Sequence, residues 1–135
     1  MKDLILVIED DSTVRKVIRN ILEAEGYAVA LAESGKEGLE LLKRFSPTVV
    51  VTDLIMPGRG GIETIMEMRR SGRSFGIIAI SGGGKIGNTD LLSIARQYGA
   101  DAALAKPFEP GALLKLVARL GKRAQGGEAP AAPEK

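Results

Sequence analysis

Cysteine, histidine and tryptophan are all missing from the 135 residues. Without cysteine there is no disulfide framework and no thiolate chemistry; without histidine there is no imidazole base, nucleophile or metal ligand. Whatever chemistry the chain performs falls to carboxylates, hydroxyls and lysines. Long apolar runs are absent too. None approaches the roughly 20 residues of a membrane span, and no signal-peptide pattern opens the chain, so a soluble cytoplasmic protein without membrane contact is the default expectation. Nor is one sign of charge in excess: 19 basic side chains stand against 17 acidic ones, too even for direct nucleic-acid binding through bulk charge.

What is present suits one ordinary domain with a proper apolar core. Short aliphatic runs alternate with longer stretches of helical period, the pattern of an α/β fold in which helices cover both faces of a parallel sheet. Strands are expected at 4–8, 28–32, 48–52, 76–80 and 102–105. Between the first two, Val14, Val17, Ile18, Ile21 and Leu22 recur at spacings of three, four, seven and eight, which is one apolar face of a helix. Leu39 with Leu42, Ile62 with Ile65 and Met66, Leu91 with Ile94 and Ala95, and Leu113 with Leu114 and Val117 mark four more. Gly26, Gly72 and Gly99 stand where helices should stop. After Leu120 the sequence "GKRAQGGEAPAAPEK" loses hydrophobic period. Residues 1–120 therefore read as one domain and 121–135 as a flexible tail of Gly, Ala, Pro and charge.

Open parallel sheets gather ligand chemistry at the carboxyl ends of their strands, where strand order reverses. There the first strand delivers Glu9, Asp10 and Asp11, the third Asp53, the fourth Ser81 and the fifth Lys106, while the second ends in the bland "AESG". If the order is 2-1-3-4-5, the carboxylates of strands one and three sit on neighbours about 5 Å apart, with Ser81 next and Lys106 within reach of Asp53. Crowded carboxylates repel one another, and protons or a bound cation relieve them. Mg2+ favours oxygen ligands, keeps several waters and uses one or two carboxylates, so Asp10, Asp53 and a nearby main-chain carbonyl would suffice. Beside such a cation Asp53 can act as a nucleophile toward phosphorus and form an aspartyl phosphate. Lys106 would then neutralise phosphoryl charge, and the Ser81 hydroxyl would donate to a phosphoryl oxygen.

Four ordered features carry a family likeness: the acids of "VIEDDS", the aspartate of "VVVTDLIMPGRGG", the hydroxyl of "IIAISGGG" and the lysine-proline of "ADAALAKPF". Through them residues 3–120 resemble a response-regulator receiver domain of bacterial two-component signalling, of the stand-alone type. The resemblance implies a doubly wound, five-stranded sheet of flavodoxin-like order 2-1-3-4-5, magnesium dependence and phosphoaspartate chemistry. By position it makes Asp53 the phosphoacceptor, Glu9 and Asp10 the acidic pair that holds Mg2+, Ser81 the switch hydroxyl and Lys106 the active-site lysine. It also implies that Ile55 lends its backbone carbonyl to the metal and that the bond before Pro107 is cis. The implied donor is a sensor histidine kinase or a histidine phosphotransfer protein, docking on the first helix. The implied output is a downstream protein, bound by the helix from about Asn88 to Tyr98, the fifth strand and the helix from Pro110 to Leu120. Such a chain is a signalling phosphoacceptor and not an enzyme acting on an outside substrate.

Receivers often carry an aromatic residue two positions after the aspartate of the "GAD" motif, where this chain has Ala103. Switching by burial of that aromatic is thus in doubt, and backbone movement around Ser81 to Gly84 takes its place as the expectation, three glycines lowering the barrier. Asp11, directly before the helical pattern, fits a helix cap. Blander roles exist for each residue: a solvated acidic turn, a turn serine, a solvated lysine. An aspartyl-nucleophile phosphohydrolase of the haloacid dehalogenase type wants a second aspartate at position 55, where isoleucine stands. A flavodoxin-like carrier would have two tyrosines and no tryptophan to stack on a flavin. An unphosphorylated receiver-like adaptor would not need its acids and lysine intact. "GKIGN" and "SGGGK" lack the complete spacing of a P-loop.

Overall fold

In a computed structural model that describes residues 3–54, 60–82 and 88–125, five strands alternate with five helices. They are β1 (Leu4–Ile8), α1 (Ser12–Ala24), β2 (Ala28–Ala32), α2 (Gly35–Leu42), β3 (Val49–Asp53), α3 (Gly61–Arg70), β4 (Gly76–Ser81), α4 (Asn88–Tyr98), β5 (Ala102–Ala105) and α5 (Pro110–Gln125). The strands form one parallel sheet of order β2-β1-β3-β4-β5. This is the expected flavodoxin-like winding. Strand order reverses between β1 and β3, which sets the crevice at their carboxyl ends.

The apolar runs are explained by burial on both faces, because alternate side chains of one strand enter different cores. Ile5 and Val7 of β1, Val49 and Val51 of β3, and Ile78 and Ile80 of β4 pack with Ile18 and Leu22 of α1 and Leu113, Val117 and Leu120 of α5. Leu6, Ile8, Val50, Ile77 and Ala79 point the other way, onto Leu42, Ile65, Met68 and Ala95 from α2, α3 and α4. Glycines at positive φ end three helices, Gly26 at 95°, Gly72 at 75° and Gly99 at 118°, and the Lys106–Pro107 bond is cis.

Some expected boundaries and faces differ. β3 runs over Val49–Asp53 instead of 48–52, and β4 continues to Ser81. Ladder bonds decide this: Leu54 N donates to Ile80 O at 2.8 Å and Lys106 N to Ser81 O at 2.7 Å, holding Asp53 and Ser81 in extended backbone. Two site residues are therefore themselves strand residues. Val17, counted with the apolar face of α1, is 49% exposed. On the helical wheel it falls roughly 120° from the centre between Ile18 and Leu22, beyond the buried stripe. Met66 is likewise exposed, while Thr64, Ile65 and Met68 fill the buried side of α3. The last helix passes Leu120 and reaches Gln125, and Gly121 is still buried, close to Asp3, Thr48 and Val49.

Candidate functional site

The connection from β1 to α1 is tied down at Glu9 and Asp11. Glu9 extends the ladder through its amide, which donates to Ala32 O at 3.0 Å, and its side chain is fully buried. Its Oε2 accepts from the Asp11 amide at 3.1 Å, and its main-chain carbonyl accepts from Arg15 Nη1 at 2.8 Å. Asp10, between them, is exposed. Asp11 caps α1, its Oδ1 accepting from Thr13 N at 2.9 Å and Val14 N at 3.2 Å, and so takes up amides that the first helical turn leaves without a partner.

At the end of β3, Asp53 is 5% exposed. Its backbone is closely covered: a Cβ on Gly61 would collide with the Asp53 carbonyl oxygen and the Leu54 Cα, so the start of α3 docks there only as glycine. Lys106 arrives from the end of β5 and crosses to both acidic strands. Its Nζ lies 2.9 Å from Asp53 Oδ2 and 3.0 Å from Glu9 Oε1. Carboxylate oxygens of Glu9, Asp10 and Asp53 lie within 4.8 Å of one another.

Burial pushes the Glu9 carboxyl above its ordinary range, and the nearby Asp53 charge adds to the rise; the Asp11 amide and the Lys106 ammonium pull the other way without cancelling it. Burial also acts most strongly on Lys106, pulling its pKa down. The hydrogen bonds and charges of Asp53 and Glu9 outweigh it, so the ammonium ends above lysine's ordinary value. Among the described residues, three carboxylates thus meet one ammonium, which leaves two negative charges over when all are ionised. The donors are all oxygen, and one of them is open to water. That set fits a hard divalent cation that keeps part of its hydration shell.

Four of the expected site residues, Glu9, Asp10, Asp53 and Lys106, are brought together. Ser81 is adjacent through the pairing of Ser81 with Ala105, and its hydroxyl donates to Gly82 O at 3.3 Å. Ile55, Gly83 and Gly84 lie outside the described residues. Ala103 is half-buried against the core beneath α2, α3 and α4. Two features went unread in the sequence. One is the second grip of Lys106, on Glu9. The other is Arg15, whose only signal is its place four residues after the capping Asp11.

A family model for the response regulator receiver domain matches residues 5–118. The chain is similar to Response regulator MprA from Mycobacterium sp. (strain KMS), at 33% identity over 129 residues, 96% of this chain and 55% of that protein. It thus spans about half the length of the first curated relatives it matches. Chemotaxis protein CheY from Halobacterium salinarum is 31% identical over 117 residues, 87% of this chain and 95% of the relative. A solved response regulator receiver domain protein from Clostridium thermocellum has a TM-score of 0.82 at 30% identity, over 91% of this chain and 97% of its own.

Proposed function

The chain belongs to the response regulator receiver family, and we propose that it is a magnesium-dependent phosphoacceptor in which Asp53 takes a phosphoryl group from a partner's phosphohistidine. One observation carries the reading: Lys106 bridges Asp53 and Glu9 at 2.9 and 3.0 Å while exposed Asp10 completes an oxygen cluster around the same point. Asp10 and Asp53 are the carboxylates that would hold Mg2+, and by family likeness the Ile55 carbonyl would join them. Glu9, with Oε2 on the Asp11 amide and Oε1 on Lys106, acts through water. Bound there, the cation would offset the negative charge that otherwise keeps a phosphoryl group away from the acids.

In the transfer, a carboxylate oxygen of Asp53 attacks phosphorus and the phosphorus–nitrogen bond of the donor breaks. Its electron pair stays on the imidazole nitrogen, and a proton from solvent completes the neutral ring. Lys106 turns from the Asp53 carboxylate to a phosphoryl oxygen, and the Ser81 hydroxyl leaves Gly82 O for another. The new group adds up to about two negative charges. Moving a two-state equilibrium from 1:99 to 99:1 takes about 5.5 kcal/mol, more than one ion pair and one hydrogen bond supply, so a protein bound on the α4–β5–α5 face completes the shift. The donor is a cytoplasmic histidine kinase or histidine phosphotransfer protein, docking on α1.

The test is exposure to acetyl phosphate with magnesium, read by intact mass. Wild type gains one phosphoryl group; Asp53→Asn gains none, and chelation of the metal stops the reaction. Labelling that survives either change overturns the proposal.

A further inference from the structure

We infer that Arg15 is a positioning residue for the divalent-cation site, locking the carbonyl of Glu9 and with it the β1–α1 connection that carries Asp10. The inference rests on reading the acid cluster as a cation site, as above. Asp10 is exposed, so its carboxylate is aimed by the main chain on either side of it. On one side, Glu9 is held through its amide by Ala32 and through its carbonyl by Arg15 Nη1 at 2.8 Å. On the other, Asp11 is held through its cap on α1, and its carbonyl accepts from the Arg15 amide at 2.9 Å. Arg15 touches both flanks, its backbone making the helical bond to Asp11 and its side chain holding the Glu9 carbonyl. A half-buried guanidinium in this place fixes the two peptide units between which the ligand stands. Partners that orient a ligand in this way typically change metal affinity by about 10–100-fold when removed.

A rival role predicts the opposite sign. If Arg15 acted only as a positive charge beside the cluster, its removal would tighten cation binding, since like charges repel. Positioning predicts loosening. Calorimetric titration of the whole chain with magnesium chloride alone, without phosphodonor, separates the two. Arg15→Ala is expected to raise the dissociation constant roughly 10-fold and to shrink the magnesium-induced rise in melting temperature. Arg15→Met keeps the aliphatic stem and removes the donors, so the same loss is expected even where the alanine variant folds poorly. Lys16→Ala removes the same charge from the exposed side of the same helix and is expected to bind magnesium as wild type does, or slightly more tightly. Unchanged or tighter binding by Arg15→Met, or equal weakening by Lys16→Ala, overturns the inference while the cation site stands. Absence of magnesium binding by wild type overturns the cation site itself.

Discussion

At the amino end of the sheet, Arg69 of α3 spreads its guanidinium over three partners: Nε donates to Gly99 O at 2.7 Å, Nη1 to Phe75 O at 2.9 Å and Nη2 to Asp101 Oδ2 at 2.6 Å. The same carboxylate oxygen accepts from the Ile77 amide at 2.8 Å, and the guanidinium lies 5.8 Å from the centre of the Phe75 ring. Arg73 beside it binds the carbonyls of Leu42 and Phe45. At the carboxyl end, Lys106 divides one ammonium between Glu9 and Asp53 while Asp10 faces water. The first arrangement is closed, each charge answered by a protein group. Among the described residues, the second gathers more carboxylates than ammonium groups at the crevice where the strand order reverses. A balanced half-buried network holds elements together; an excess of one sign in a crevice marks a candidate binding site.

That contrast breaks first at Asp53. Asp53→Asn should abolish labelling by a small phosphodonor yet leave a cooperative urea transition, because the amide keeps an oxygen for Lys106. Arg69→Ala should do the reverse. Losing three hydrogen bonds, discounted for the partial exposure of the pair, should cost about 2–3 kcal/mol in urea denaturation. Labelling at 25 °C by the variant that remains folded should be unchanged.

Lys106→Met sharpens the comparison further. It leaves two buried carboxylates without their ammonium and should cost about 2 kcal/mol in metal-free buffer. Removing the ammonium should also tighten magnesium binding, so a fixed magnesium concentration should stabilise this variant by more than it stabilises Arg69→Ala, whose cation site is that of wild type; each tenfold in affinity adds about 1.4 kcal/mol. Magnesium that stabilises both variants equally would erase the distinction between the two ends. The smallest effect on stability is expected from Asp11→Ala, about 1 kcal/mol from the lost helix cap, with labelling by acetyl phosphate slowed and not abolished, because the cap also holds one flank of Asp10. Loss of labelling there would move Asp11 from the helix into the site.

Much of this site was legible because its residues sit at strand ends. A parallel α/β sheet always presents those ends on one edge, so Asp10, Asp53, Ser81 and Lys106 could be assembled from the order of the aliphatic runs. Family likeness then supplied the strand order and the pairing of Glu9 with Asp10. Asp11 was legible as a cap because capping is local, spanning the two or three residues to Thr13 and Val14. Val17 was misjudged because periodicity gives the direction of an apolar stripe but not its width, which depends on what packs against it. The grips of Lys106 on Glu9, Arg15 on the Glu9 carbonyl and Arg69 on Gly99 left no comparable mark. Long cationic side chains choose partners by reach through folded space, and their spacing along the chain does not encode that choice.

By itself, then, the sequence determined the elements, the edge on which the chemistry gathers and the excess of acids there. All three follow from side-chain period and from the geometry shared by every residue of a strand or helix. Only the tertiary structure decided that Glu9 is fully buried and Asp10 exposed, that Asp53 and Glu9 share one lysine, and that the Arg15 side chain holds the Glu9 carbonyl. Burial and pairing depend on how elements brought together from distant parts of the chain divide the available space, and no local pattern carries that division.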